Sequence, residues 1–592
     1  MNDHPDIEKL LIDADGISVR EIIRQLFRNP ANGTPDNISK AGCFALALKS
    51  NEAGGAGKGH VVWNAWREIF PAVRNTKQWR NHVDFSNADW TGKRLRLSNF
   101  KFGHGAKFEH SEWGDRFNFE AAQWGDDCDF EQTNWGSHAN FSRAVWGDGA
   151  DFESAKWGSY ANFSHATWGE GALFEGAKWG TESIFRAARW GDRADFNAAN
   201  WAGNSYFVGA TWGNYCLFRI ARWESANFTG AVWGNENIFE GAQWGRNNVF
   251  RRAKWGSGIN LKGTQFGGIA DFQTSSWGAC IDFSGSDWNY LKNRYQRYQS
   301  KEIYEQAKSW ANDRGMGPDY FPAINFSGAR FAGHVIFSGR RFSATTNFGF
   351  FHSVAGEKTK ELSADGKLQR IKRDNNKNAI FNGEEPEWEP DPDQRLHVVF
   401  GAAPIFHGCE FNQDTSFEGA VFPEPSGSEE AARAYRTLKL TFSKQQAIRE
   451  EQRFFKLEME EETLREKGLK RWLFKSYKTF SDYGFSIERP LKYGGSSVLG
   501  LTAIYGLISW LGQCGLQVQA CRFAPEWLEF SLLQTLPLPG LDKLREAASK
   551  VFWPIGAWWG LCLSVLVILH KTLSIVTLFL VGVALRNLFK LK

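Results

Sequence analysis

Large aromatic residues recur every eleven positions through the middle of the chain, from Trp113 to Trp288. A phenylalanine follows most of these tryptophans after six residues, and the next tryptophan comes five residues later. A small residue, usually alanine, stands two positions before each aromatic, and polar residues fill the gap. A helix needs apolar residues every three or four positions and a strand alternates, so neither pattern fits. A fixed period of this kind predicts a solenoid.

The alternating steps of five and six residues predict a square coil. Two eleven-residue units complete one turn of this coil. Each tryptophan should then lie above the tryptophan of the preceding coil, and about eight coils would make a rod of roughly 40 Å. We expect the aromatics to point inward as a structural ladder, because such rings fill a dry core without any cofactor. We interpret the extra residue of each six as a corner bulge, with the glycine after tryptophan allowing a tight turn. The ladder includes Trp146, Phe152, Trp157, Phe163, Trp168, Phe174, Trp179 and Phe185.

Several triplets match the motif A-(D/N)-(L/F)-x-x, among them Ala150-Asp151-Phe152 and Ala161-Asn162-Phe163. In these triplets the chain resembles the pentapeptide-repeat family, over about half of its length. The resemblance implies a right-handed quadrilateral parallel β-helix with four pentapeptides per coil. The sequence departs from the family motif in its alternate tryptophans and in the extra residue of every eleven.

Interruptions of the eleven-residue repeat predict the order of domains along the chain. The repeat is interrupted twice after Trp288. Each time it resumes with phenylalanines that are alternately five and six residues apart. Insertions in a solenoid often map to a binding face, so both are candidate partner sites. We predict N-terminal helices and a linker at 1–60, a helical cap at 61–82, β-helix at 83–288, a helical insertion at 289–323, resumed β-helix at 324–352, a polar loop insertion at 353–397 and a last coil at 398–423.

The C-terminal part changes character, first to charged residues and then to apolar ones. We predict a long charged helix at 428–467, an interfacial amphipathic segment at 468–493 and a transmembrane domain at 494–592, with spans at about 494–513 and 556–588 and a re-entrant segment at 527–540. Lys and Arg crowd before the first span and again at the C-terminus. The positive-inside rule then requires an even number of crossings and places the rod in the cytoplasm, on a bacterial inner membrane.

Residues 477–495 (YKTFSDYGFSIERPLKYGG), followed by a span, a short helix and a long final helix, resemble the two-span ion-channel-like module of some membrane pentapeptide-repeat proteins. A potassium filter uses TVGYG carbonyls, whereas this chain has Thr535-Leu-Pro-Leu-Pro-Gly540, so no filter residues are carried over. Polar residues in this domain could line a pore, face a protein interface or lie at the lipid boundary. They are Glu529, Gln534, His570 and Lys571.

Charge and composition limit the classes of function that the sequence is compatible with. The formal net charge is +4, and the repeat block lacks the dense charge of a nucleic-acid binder, which disfavours nucleic acid as a partner. The eight cysteines show no metal spacing, and no catalytic constellation stands out. We therefore predict a protein that is not an enzyme and uses no cofactor or metal. A local acidic cluster is a candidate partner surface: Asp126, Asp127, Asp129 and Glu131.

Three functions stay open on this sequence. The first is a protein-interaction scaffold or sensor at the cytoplasmic face, with membrane lipid, an unidentified protein and a second copy of the chain as expected partners. The second is an ion-channel-like or membrane-permeabilising effector, in which the β-helix is the sensor or oligomerisation body. The third is a DNA-mimicking topoisomerase binder, which the weak charge and the membrane end disfavour.

Overall fold

The computed structural model forms two compact units, Met1–Pro423 and Glu424–Lys592. The first is a parallel β-solenoid of about ten turns behind a helical N-terminal segment, and the second is helical. The structure describes residues 13–14, 17–54, 58–75, 78–93, 95–296, 305, 308–309, 318–321, 324–342, 348, 360–362, 368–370, 398–409, 411, 415, 417, 419–514, 526–535, 544, 546, 549, 552 and 557–589.

The N-terminal segment covers the first coil of the solenoid. It contains the helices α1 (Val19–Phe27), α2 (Lys40–Gly54) and α3 (His60–Ile69). Trp63 of α3 is fully buried, packs its ring at a tilt against that of Phe100 with centroids 5.3 Å apart and donates its indole N–H to the carbonyl of Lys101 at 2.8 Å. Such a cap is needed because the first coil would otherwise expose unpaired strands. Three short antiparallel hairpins accompany these helices: Asp13–Ala14 with Ile17–Ser18, Gly33–Thr34 with Asn37–Ile38, and Val73–Asn75 with Gln78–Arg80.

The solenoid is built from two long parallel sheets. An eleven-stranded sheet contains Glu112–Trp113, Asn134–Trp135, Lys156–Trp157, Lys178–Trp179, Asn200–Trp201, Ser205–Tyr206, Arg222–Asn227, Gln243–Val249, Gln265–Phe266, Ile269–Asp271 and Ile324–Asn325. An eight-stranded sheet contains Thr167–Trp168, Arg189–Trp190, Thr211–Trp212, Val232–Trp233, Lys254–Trp255, Ser276–Trp277, Arg330–Phe331 and Val399–Phe400. Shorter parallel pairs are Lys101–Gly103 with Gln123–Trp124, Ile281–Asp282 with Val335–Ile336, and Tyr320–Phe321 with Arg341–Phe342.

The core is a set of stacked rings, as the eleven-residue period predicts. Trp157 pairs in register with Trp179, and their rings stack at 4.9 Å with 2° between the planes. Phe152 stacks on Phe174 in the same way, at 4.9 Å. All eight ladder residues are at most 4% exposed. Alanines fill the small inward positions, so each coil closes on a dry aromatic interior.

The glycine after most of the tryptophans serves close stacking rather than the tight turn that the sequence suggests. A Cβ added to Gly158 would lie 2.6 Å from the backbone nitrogen of Ser137 in the coil below, which no side chain allows. The left-handed backbone falls two residues later instead, at Tyr160 with φ 61°. Stacked coils therefore disfavour a side chain after tryptophan, although Ala202 and Glu224 stand at this position in two repeats, and the turn itself tolerates one.

Both insertions leave the ladder continuous. Trp277 pairs with Phe331, and Phe331 pairs with Phe400 across the second insertion, with ring centroids 5.7 and 5.5 Å apart. The first insertion begins with α4 (Trp288–Gln296), and most of its remaining residues lie outside the described part of the chain. In the second, the structure describes only the hairpin of Lys360–Leu362 with Leu368–Arg370.

The predicted single helix at 428–467 is wrong, because the structure has an antiparallel pair, α5 (Glu429–Lys444) and α6 (Ile448–Arg465). The chain reverses at Gln446, whose φ is 59°. Reversal lets Arg436 reach back to Glu458 at 2.7 Å across the pair. A single straight helix would hold these side chains far apart.

The rest of the second unit is α7 (Gly468–Ser481), α8 (Glu488–Cys514), α9 (Glu526–Thr535) and α10 (Ala557–Phe589). Two stretches, Glu488–Leu511 in α8 and Gly560–Asn587 in α10, are long and apolar enough to cross a membrane, with mean hydropathies of 1.3 and 2.1. Only 28% and 17% of their most apolar windows are buried, so their apolar surfaces face outward. The short α9 packs against both helices, and its Phe530 joins Tyr505 and Phe552 in a small core.

Candidate functional site

The outer surface of the rod carries a groove of about 590 Å³ along the eleven-stranded sheet. Residues just before the tryptophans form one wall, since they point away from the core. Small residues at the left-handed corner positions, Ser154, Gly176 and Ala198, open the space beside that wall. The groove is lined by His110, Glu112, Gln132, Asn134, Ser154, Lys156, Gly176, Lys178, Ala198, Asn200, Ile220, Arg222 and Gln243.

Cations dominate the centre of this groove. Lys156 and Lys178 are direct neighbours in register on adjacent strands, and both side chains are exposed. Arg222 lies two strands further along and is 3.6 Å from Glu224. Like charges directly opposite each other destabilise a sheet, so an anionic group in the groove would relieve the contact. The arrangement suits an extended acidic segment.

The predicted acidic partner surface does not form a single patch. The Asp126 carboxylate accepts the backbone N–H of Asp148 at 3.0 Å, which holds the next coil in place. Asp127 lies 3.5 Å from Arg74. Asp129 accepts the N–H of Glu131 at 3.0 Å, and these two lie on another side of the coil. Asp126 and Asp127 therefore have structural partners, and the other two belong to a longer feature.

That feature is an acidic column on the side of the rod beside the groove. Asp129 and Asp151 are bridged strand neighbours, because residues 22 apart lie above one another. Burial raises the pKa of Asp151 to about 6, and the nearby Asp129 carboxylate adds to the shift. Burial also raises the pKa of Glu109 to about 7, with a further contribution from the neighbouring Asp129 carboxylate. The acidic column consists of Glu109, Asp129, Glu131, Asp151, Glu153, Glu175 and Asp195.

The acidic column is expected to make the rod more stable at mildly acidic pH. A raised folded-state pKa means that the folded protein holds protons that the unfolded chain releases, so stability falls as the pH rises through about 6 and 7. We expect the melting temperature of the full-length protein in detergent to be about 2–4 °C higher at pH 5 than at pH 8. Circular dichroism across this range measures the difference.

Asp151→Asn isolates this effect, since asparagine still accepts the N–H of Glu153 that Asp151 accepts at 2.8 Å. The variant should lose part of the pH dependence and be more stable than the wild type at pH 8. Asp115→Asn is the matched control, because Asp115 also accepts a backbone N–H but lies outside the acidic column. A variant that keeps the full pH dependence would contradict the assignment.

The structure buries two of the four polar residues predicted for the membrane end. Gln534 and His570 are buried, and the Thr535 hydroxyl is 3.0 Å from His570 Nε2. The ring of Tyr505 stacks on His570 at 5.8 Å. In a membrane, polar side chains directed into a helix bundle mark functional positions.

Glu529 and Lys571 lie elsewhere. Glu529 is exposed and lines a cleft of about 680 Å³ between α8 and α9, whereas Lys571 is half-buried on α10. The Thr502 and Ser531 hydroxyls are hydrogen-bonded at 2.6 Å in the wall of the same cleft. Apolar side chains form the rest of the lining together with Glu526 and Thr535. The cleft is lined by Val498, Leu499, Thr502, Glu526, Leu528, Glu529, Ser531, Leu532 and Thr535.

Sequence reasoning missed Arg340, which is fully buried inside the solenoid. Its guanidinium lies 4.3 Å from the ring centroid of Phe321. Burial lowers the pKa of this guanidinium to about 9, which leaves it charged at neutral pH. The signal was present, because Arg340 occupies the small inward position that alanine holds in most repeats. It donates to four carbonyl oxygens, those of Phe283, Thr264, Pro318 and Leu261, at 2.5, 2.9, 2.7 and 3.2 Å.

Comparison with known proteins adds no relatives. No family model matches the chain, and no curated protein matches it. Within the described residues, no group of three His, Cys, Asp or Glu side chains could hold a metal ion. The surfaces described above are therefore interpreted from their own geometry.

Proposed function

We propose that this protein is a membrane-tethered scaffold of the pentapeptide-repeat type, which presents its rod to a protein partner on the cytoplasmic side of a bacterial inner membrane. One observation carries the proposal: a solenoid filled by its own aromatic rings continues, in the same chain, into two outward-facing apolar helices. Because the interior is filled, recognition has to use the outer surface. The groove around Lys156 and Lys178 is the surface that we assign to the partner, and we assign no catalytic role.

The distribution of charge supports the proposed orientation. Lys and Arg residues of α7 precede the first apolar helix, and Arg586 lies near the end of the second. Positive residues flank membrane spans on the cytoplasmic side, so both ends of the helix pair belong to that side. The rod precedes the first span and would share this compartment.

Ending the chain after Pro423 tests the tether. We expect the shortened protein to appear in the soluble fraction with the β-rich circular dichroism of the rod, whereas the full-length protein stays with membranes after carbonate washing. Alkaline fractionation followed by immunoblotting measures both. A shortened rod that still sediments with membranes would count against the proposal.

An ion-conducting or permeabilising function is the second candidate. It is favoured by the buried Gln534 and His570 and by the cleft that holds Glu529, since ionisable and polar residues at membrane depth line ion pathways. The rod would then serve as sensor or oligomerisation body. Planar-bilayer recording of the full-length protein distinguishes the two, because conductance supports the channel and silent bilayers support the scaffold.

A further inference from the structure

Within the described residues, helix α7 packs on the neighbouring helices through the side that carries Tyr477 and Lys478. On that side, Lys478 is 2.9 Å from Glu460 of α6. Tyr477 at the same level contacts Tyr483 edge to face, at 5.8 Å between centroids, and the Tyr483 hydroxyl is hydrogen-bonded to Thr463 of α6 at 2.9 Å. These contacts fix the rotation of α7 about its axis. The opposite side must therefore face away from the protein.

That opposite side is apolar and exposed. Leu469 is 73% exposed, Trp472 62%, Leu473 50% and Phe480 44%. Their spacing of three, four and eleven residues from Leu469 places them on one stripe of the helix. A contiguous apolar stripe of this size is costly in water and marks a surface that meets a membrane or a partner.

The stripe continues into the apolar surface of the first membrane-length helix. Phe480 at the end of α7 contacts Tyr493 of α8 edge to face, with centroids 5.4 Å apart. Leu491 and Tyr493 are themselves exposed, at the start of the segment that is apolar enough to cross a bilayer. The lipid that surrounds α8 therefore also reaches α7. Continuity with the span identifies the membrane surface as what covers the stripe.

Two cations beside the stripe lack an acidic partner among the residues that the structure describes. Lys475 borders the stripe on α7, and Lys492 lies between the exposed Leu491 and Tyr493. Three other cations nearby are paired, Lys470 with Glu466, Lys478 with Glu460 and Arg489 with Asp482. Arg471, next to Trp472 on α7, has no ion pair within the described residues and adds positive charge beside the stripe. Because Lys475 and Lys492 are exposed, both can bind an anionic group from outside the described chain.

We propose that α7 and the start of α8 form a binding site for anionic phospholipid. Lys475 and Lys492 bind the headgroup phosphate, while Trp472 and Leu473 enter the boundary between headgroups and acyl chains. An amphipathic helix with cations bordering an apolar stripe has the features of such a site. The inference rests on the proposed membrane tether and adds to it a preference for one lipid charge class.

Native mass spectrometry of the full-length protein in neutral detergent tests the site. We expect phosphatidylglycerol to be retained in preference to phosphatidylcholine. Lys475→Gln combined with Lys492→Gln should weaken phosphatidylglycerol binding about 25-fold, or roughly fivefold per cation, and leave phosphatidylcholine unchanged. Lys101→Gln with Lys254→Gln, which removes two exposed cations from the rod outside the groove, is the matched control and should not change the binding of either lipid.

A second variant tests the apolar stripe, which is the other part of the proposed lipid site. Trp472→Ala with Leu473→Ala should weaken both lipids to a similar degree and keep their ratio. Equal phosphatidylglycerol binding by the wild type and the Lys475/Lys492 double variant would overturn the proposal, and so would binding of free inorganic phosphate in place of lipid. Retention of an acidic peptide in preference to lipid would also overturn it, because the stripe would then serve a protein.

Carbonate extraction of the same variants separates this inference from the tether. If the Lys475/Lys492 double variant stays in membranes but has the same lipid preference as the wild type, the membrane tether is supported and the proposed lipid site is wrong. If the wild type itself is extracted, the tether is wrong. Each result therefore decides one of the two proposals.

Discussion

Replacing Trp168 by alanine is expected to destabilise the rod by about 3–5 kcal/mol. The ring is 2% exposed and stacks between Trp146 and Trp190, at 4.8 and 4.9 Å with 2° between the planes in both cases. Its removal leaves a cavity that the neighbouring coils cannot close, since their backbones are held by hydrogen bonds to one another. Contacts with Phe174 would be lost as well, at 5.7 Å.

Hydrogen–deuterium exchange of the full-length protein measures this loss locally, which suits a solenoid because each coil contacts only its neighbours. Exchange should rise most in peptides around residues 146–190. Trp168→Phe is the matched control and should cost less than about 1.5 kcal/mol, because it keeps an aromatic ring in the stack. The Trp168 indole N–H has no hydrogen-bond partner to lose. Unchanged exchange in Trp168→Ala would contradict the ladder as the source of stability.

Replacing Arg340 by methionine is expected to cost about 3–5 kcal/mol, because one partner of a buried charged network is removed. Methionine fills similar space but removes the guanidinium that donates to the carbonyl oxygens of Phe283, Thr264, Pro318 and Leu261. Of these four, Leu261 still accepts from the backbone N–H and the hydroxyl of Thr264. Each buried carbonyl without a donor is itself costly. The damage should appear where the chain returns from the first insertion, since Pro318 precedes the resumed strand at Tyr320.

Arg341→Met provides a matched control one residue away. Arg341 is exposed and contacts Asp319 at 2.7 Å, and exposed ion pairs contribute about 0–1 kcal/mol. Thermal unfolding and exchange in peptides covering 261–283 and 318–342 compare the two variants. Equal behaviour of Arg340→Met and Arg341→Met would show that the buried guanidinium does not hold this junction.

Much of the solenoid could be predicted because the sequence pattern that specifies it is local and is repeated along the chain. The eleven-residue period alone implies which side chains point inward and that Trp157 lies beneath Trp179. It also implies the acidic column, since Asp129 and Asp151 are 22 residues apart, although the pKa shifts depend on burial. The two apolar helices follow from composition in the same way.

Other features depend on contacts between residues that no local pattern connects. The charged segment from 428 to 467 has a continuous helical composition, and only the packing of α5 on α6 reverses it at Gln446. Arg340 shows an irregularity in the sequence, but its four carbonyl partners come from three different passes of the chain. The same holds for α7, whose sequence is amphipathic but whose rotation is set by α6.

The amino-acid sequence by itself determined the repeat, the inward ladder, the interruptions and the two apolar helices, because stacking and hydrophobicity act at fixed spacing along the chain. Only the tertiary structure decided the groove, the broken charged helix, the buried arginine and the exposed stripe of α7. Each of these features depends on which surfaces pack against residues that are distant in the sequence and which surfaces stay exposed. The ladder explains the shape of the rod, and those open surfaces are where its function is expected.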